Sequence, residues 1–329
     1  MKKKIKCRIN AIAIIFSSTQ FFPAAIAGDR DIQNSQAFRL ETGTGFKFGN
    51  LNYQIGGDIS ATFKLGPYAG TTQTGATYMP LSELLYPINV PTARFMFAYN
   101  FLNRFDFELE SERNYIGKAF GKMQDSDWIN SPTSLDIYSE SDLWANIQQY
   151  DAEFGMRTQR RGVINKGRIG LGIRVLRYRF KTYNTYQTYP STGASPIFLG
   201  GQTLAYSFDA LIPYASIAHT FDPLPTINIQ TKLKFTPFAS TRDKDEHLLR
   251  DVVSLGETEG MFFEISVYAA NHISNHWYLT ANLNYSLLST HGHEIQTHNA
   301  PTDELSTAII GLQHAITQIN LIFGIKFEY

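Results

Sequence analysis

The sequence predicts an all-β fold: a closed antiparallel transmembrane β-barrel of about ten strands with long extracellular loops. Three observations point there. Apolar and polar residues alternate with period two over several stretches, the spacing of a strand with two unlike faces. The chain holds 18 Tyr and 24 Phe beside 18 % charged residues, with no helix-length apolar run beyond the N-terminal segment, a balance suited to a wall that faces lipid. Connections fall into a short class and a long class, as they do when hairpins cross a membrane.

At the N-terminus, Lys2, Lys3, Lys4, Lys6 and Arg8 precede the apolar stretch Ala11–Phe16, and Ala25, Ile26 and Ala27 precede Gly28. That order reads as a secretory signal peptide over residues 1–27, leaving 28–329 as one barrel domain. Ser17, Ser18, Thr19 and Gln20 interrupt the apolar stretch, which is too short for a spanning helix of roughly 20 apolar residues. Cys7 is the sole cysteine and lies before that stretch, so the mature chain carries no disulfide. A secreted chain of this size without disulfides needs a large core or a closed sheet. The formal net charge is zero, and no polybasic footprint argues for nucleic acid as a partner.

Strand signals recur along the chain. Phe105, Phe107 and Leu109 alternate with Asp106, Glu108 and Glu110; Ile227, Ile229, Leu233 and Phe235 alternate with Asn228, Gln230, Lys232 and Lys234. Charges on one face of such strands line the lumen, where Lys232, Lys234, Glu108 and Glu110 are expected to form a structural network. Trp277 to Leu287 repeats the pattern, and so does Ile319 to Tyr329, which ends on an aromatic residue. An aromatic terminal strand behind a signal peptide resembles the assembly signal of bacterial outer-membrane barrels. Short links are expected near Asn103, Arg161–Gly162, Asp222–Pro225 and Asn271–Asn275, and long ones near 66–79, 121–142, 184–200, 240–258 and 289–305. Four short turns and five long loops give about ten strands with both termini on the periplasmic side.

Two acidic stretches fall in or beside long loops: Asp125-Ser126-Asp127-Trp128, and Asp243-Lys244-Asp245-Glu246-His247. In extended chain, residues i and i+2 share a side, so Asp125 converges with Asp127 and Asp245 with His247. An Asp beside a His orients the imidazole and stabilises its protonated form, and facing pairs can hold and deprotonate a water. Strict alternation from an outward Phe235 would turn Asp245 and His247 outward. Pro237 predicts a bulge that restores them to the inside. His291, His293 and His298 lack the fixed spacing of a metal ligand set and read as solvated loop residues.

The two stretches resemble the Asp-x-Asp-Trp and Asp-x-Asp-Glu-His motifs of the omptins, in the family's order and loop placement. Ser82-Glu83-Leu84, Glu153-Phe154, Arg177-Tyr178-Arg179-Phe180 and Pro213-Tyr214 extend the resemblance over most of the mature chain. Omptins are ten-stranded outer-membrane barrels that cleave polypeptides at the cell surface, typically between basic residues, through an activated water. The resemblance implies that His247 is the general base and Asp245 its orienting partner. Asp125 and Asp127 would then position water and polarise the scissile group. It also implies that Asp243 sits in an acidic pocket for a basic side chain, that Asp58 is the nearest match to that pocket's other acid, and that Glu153 lines the cleft. Arg177 matches part of the family's lipopolysaccharide site, so the lipid is expected as a possible activator. No metal or organic cofactor is implied, and a monomer is expected. The alternative is a catalytically silent barrel of the same fold, acting as an adhesin or narrow pore.

Overall fold

The computed structural model describes residues 37–65, 68–102, 104–159, 166–249, 251–299 and 305–329. The signal-peptide reading of residues 1–27 and the turn at Arg161–Gly162 lie outside them. The first strands are β1 (Ala37–Leu65), β2 (Tyr68–Ala76), β3 (Ser82–Pro87), β4 (Val90–Phe101), β5 (Phe105–Asn114) and β6 (Lys118–Asp127). The later, longer ones are β7 (Ile137–Gln159), β8 (Lys166–Tyr189), β9 (Ala194–Leu224), β10 (Ile227–His247), β11 (Val252–Ser274), β12 (Trp277–Asn299) and β13 (Leu305–Glu328).

All pairings are antiparallel, and β13 closes on β1 from Arg39↔Glu328 to Phe63↔Ser306, so the ring of about ten strands has no free edge. β1 pairs with β4 over its lower half and with β3 over its upper half. β5 pairs with β4 below while β6 pairs with β3 above, so β3–β4 and β5–β6 each serve as one bent barrel strand. The bend opposite β1 is fixed at Gly49. Its φ of 146° suits glycine, its amide donates to Asn89 Oδ1 at 3.1 Å, and its carbonyl accepts from the Ile88 amide at 2.7 Å. β2 folds back on the top of β1 as a hairpin.

β1 and β7 to β13 are far longer than the roughly 9–11 residues needed to cross a bilayer: β8 has 24 residues and β9 has 31. Three segments expected as long loops are therefore mostly wall, with β8 running to Tyr189, β10 to His247 and β12 to Asn299. The physical reason is an inversion of polarity along each strand. At membrane height the outward face is apolar (Ile173, Leu211, Phe235, Met261, Leu287) and the inward face is charged (Arg174, Asp151, Lys234, Glu264). Above that band the outward face turns polar, with Arg177, Arg179, Arg242, Glu257 and His291, while Tyr178, Phe180, Tyr206, Phe208 and Leu288 pack inside. A strand whose faces exchange polarity halfway loses the simple alternation that marks it in sequence.

Charged residues inside the band form a paired network. Arg174 bonds Asp151 at 2.7 Å and Glu264, and its guanidinium lies over the Phe262 ring. Lys234 joins the same two acids, Lys232 bridges Glu108 at 2.9 Å and Glu153 at 3.3 Å, and Lys47 faces Glu112 at 3.4 Å. Such side chains tolerate burial because each charge has an opposite partner and hydrogen bonds; removing one partner typically costs about 3–5 kcal/mol. Over this network lies an aromatic layer in which Tyr86 stacks on Phe180 at 4.8 Å and on Tyr206 at 4.9 Å between ring centroids. The layer is the floor on which the site is built.

Candidate active site

β10 carries Asp243, Asp245 and His247 to the top of the barrel, and a bulge decides which way they point. Thr236 pairs with Phe262 and Ala239 with Gly260, so β10 uses one residue more than β11 over this step; the same excess appears against β9. The bulge lies where Pro237 predicts it, and Thr236 Oγ1 accepts from the Phe238 amide that leaves the ladder, at 3.1 Å. Phe235 and Phe238 consequently both face outward, while Asp243 and Asp245 are buried.

His247 Nε2 lies 2.9 Å from Asp245 Oδ2. The Asp245 side chain is 1 % exposed and the His247 side chain 22 %, so the acid is withdrawn from water while the imidazole is reachable from the mouth. Asp125 and Asp127 stand at the upper end of β6, paired with Leu84 and Ser82 of β3 and with Ser139 and Ile137 of β7. The following turn is tied down: the Asp136 amide donates to Asp127 O at 2.8 Å, the Trp128 amide to Leu81 O at 2.8 Å, and the Asn130 amide to Asp136 Oδ2 at 2.7 Å. Burial pushes the Tyr86 phenol well up, and the carboxylates of Asp245, Asp125 and Asp243 push it further. One hydroxyl thus lies within electrostatic reach of both acidic stretches, on β6 and on β10.

Two residues that sequence reasoning passes over complete this site. Glu294 of β12 is fully buried; it accepts a short hydrogen bond from the Tyr53 hydroxyl and one from Gln296 Nε2 at 2.6 Å. His314 of β13 is also buried, with Nε2 at 3.2 Å from the Tyr206 hydroxyl and 3.4 Å from Asp243 Oδ1, and Nδ1 within reach of Thr241 and Thr258. Burial drives its pKa down to about 3, so the ring is neutral. Glu294 falls in a stretch expected as loop. Continuing the inward parity of Ser286, Leu288 and Thr290 would have found it.

Other expected positions lie elsewhere. Glu153 is not beside the cleft: it sits 14 residues along β7 from Ser139, the partner of Asp125, and is locked to Arg168, Lys232, Tyr214 and Ser216 inside the band. At roughly 3.3 Å per residue that separation is about 45 Å. Asp58 is exposed where β1 shifts register against β13 between Gly56 and Ile59, so it is no buried pocket acid. Arg177 is on the outer wall of β8 just above the apolar band, beside Arg179, which pairs with Asp209 at 2.8 Å. A neighbouring basin of about 340 Å³ on that wall is lined by Trp144, Arg179, Lys181, Lys244 and Glu246 among others. His291 and His293 face outward on β12.

The sequence profile described as the Omptin family matches residues 58–329. The chain belongs to the omptin family. The outer membrane protease OmpT from Escherichia coli has a similar solved structure, with a TM-score of 0.73, 12 % identity, and coverage of 89 % of this chain and 97 % of that one. The outer membrane protein OprG from Pseudomonas aeruginosa aligns over 90 % and 97 % of the two chains, at a TM-score of 0.35 and 10 % identity. No curated protein sequence matches the chain. Family membership and the shared barrel support an outer-membrane protease located in the bacterial outer membrane. In this omptin the long strand extensions face outside and the short turns face the periplasm.

Proposed function

We propose that the chain is a surface endopeptidase of aspartic type that cleaves polypeptides beside basic residues through a water activated by Asp245–His247. The Asp245–His247 contact at the mouth, together with Asp125 and Asp127 on β6, carries this reading. With Nε2–H donated to the buried Asp245 carboxylate, the proton taken in the reaction goes to Nδ1. Water held between Nδ1 and the Asp125–Asp127 pair loses that proton as its oxygen attacks the scissile carbonyl carbon. Asp245 stabilises the resulting imidazolium, which returns the proton to the departing amine as the C–N bond breaks. No covalent intermediate and no metal or organic cofactor enters these steps. Asp243, on the same strand, receives the basic side chain next to the cut.

Arg177, with Arg179, Lys181 and Lys244, offers cations above the apolar band for the phosphates of lipopolysaccharide, which we propose as an activator bound to the outer wall of a monomeric barrel. A quenched peptide with an Arg–Arg bond, presented to refolded protein with and without lipopolysaccharide, tests the reading. Wild type cleaves it, and Asp127→Ala and His247→Ala lose about 10²- to 10⁴-fold in rate, the usual worth of a positioned acid or base. Correctly folded wild type that cleaves neither this peptide nor a mixed library is instead a silent adhesin or pore.

A further inference from the structure

We infer that Glu294 of β12 joins Asp243 of β10 in a two-carboxylate receptor for the basic side chain, built across the bare backbone of Gly256. The inference rests on the peptidase reading and adds to it a specificity-determining residue from a strand that the catalytic groups do not use.

Register supplies the first argument. Asp243 pairs with Gly256, and Gly256 pairs with Glu294, so the three form one row over β10, β11 and β12. Strands lie about 4.8 Å apart, which separates the outer two backbones by about 10 Å. Their carboxylates can approach one another only if the position between them has no side chain. A Cβ at Gly256 would collide with the Asp243 carboxylate and with Leu312, so Asp243 leans over the glycine. Glu294 is fixed from its other side by the hydroxyl of Tyr53, which reaches it from β1, and by Gln296.

The absence of a counter-ion supplies the second. Lower in the barrel, buried acids are matched: Asp106 by Arg168, Glu112 by Lys47, Asp151 by Arg174 and Lys234. Here both Asp243 carboxylate oxygens are buried without a hydrogen bond. Among the described residues no Lys or Arg pairs with Asp243 or Glu294, and His314, whose Nε2 lies 3.4 Å from Asp243 Oδ1, is a neutral ring. Burial, and then the mutual repulsion of Glu294, Asp245 and Asp243, pushes Asp243 up to about 8, and burial foremost pushes Glu294 up to about 7. An incoming guanidinium or ammonium relieves that repulsion and supplies up to five directed N–H donors to two waiting carboxylates.

The full chain, as wild type, Glu294→Gln and Glu294→Asp, is assayed on two peptides that differ only in Arg or citrulline before the scissile bond. The ratio of kcat/KM for the pair is internal to each preparation and does not depend on how much protein has folded. Wild type favours Arg, Glu294→Gln reduces the ratio about tenfold or more through KM, as loss of a buried charge partner should, and Glu294→Asp recovers part of it. An unchanged ratio in Glu294→Gln overturns the role of Glu294 and leaves the peptidase reading standing. Equal cleavage of both peptides by wild type overturns the receptor. Cleavage of neither by wild type overturns the peptidase reading itself, and the receptor with it.

Discussion

Asp243 and Glu294 hold protons more tightly in the barrel than in the unfolded chain. From the ordinary carboxylate values of 3.8 and 4.5 they rise to about 8 and about 7, chiefly through burial. Between those limits the folded state binds more protons than the unfolded one, so stability falls as pH rises. The contribution is fully present below about pH 4 and lost above about pH 8. Thermal melts across this window should therefore show the midpoint dropping with pH. Glu294→Gln cannot ionise, so its profile should be flatter and should lie above wild type at the alkaline end. A wild-type midpoint that climbs through the window, with Glu294→Gln parallel to it, would contradict the placement of these acids. At this scale the catalytic candidates were legible, because Asp125, Asp127, Asp245 and His247 stand at i, i+2 spacing beside recognisable neighbours. Glu294 and His314 were not, since a single acid or histidine gains meaning only from the strands that fold beside it.

At the scale of the element, the face presented by upper β10 depends on one residue. Thr236 to Ala239 on β10 spans the step from Phe262 to Gly260 on β11, and removing the extra residue restores strict alternation. Deletion of Pro237 should turn Asp243, Asp245 and His247 to the outer wall and send Arg242, Lys244 and Glu246 inward, because a one-residue slip exchanges the faces. Activity should vanish while far-UV circular dichroism still reports a sheet. Full activity in the deletion would mean that the register re-forms by another route. The bulge could be read from sequence because Pro237 sits between two lipid-facing aromatics whose parity disagrees. The strand extensions could not: Asn184 to Tyr189 on β8 and Ser289 to Glu294 on β12 lie where water has replaced lipid outside, and their buried residues are Thr185, Thr290 and Glu294 rather than an apolar series. Polar residues on the outer face then read as loop although the ladder continues.

The barrel built by residues 37–329 is a plugged cylinder with the proposed site at one end. The network around Arg174 and Lys232 fills the band, and the Tyr86, Phe180 and Tyr206 layer covers it. That leaves the Asp245–His247 pair facing the mouth formed by the strand extensions. The barrel, its strand number and its lumenal charges were visible in the sequence because lipid imposes alternation on every crossing. Glu153 was misplaced for the same reason, an inward acid at membrane height being indistinguishable in sequence from one at the mouth.

The most direct test of the central claim uses intact bacteria displaying the chain and a quenched Arg–Arg peptide tethered to a particle too large to pass the outer membrane. The account predicts cleavage by cells carrying wild type and none by cells carrying His247→Ala at equal surface abundance. Cleavage that appears only after lysis, or that His247→Ala supports equally, would contradict it.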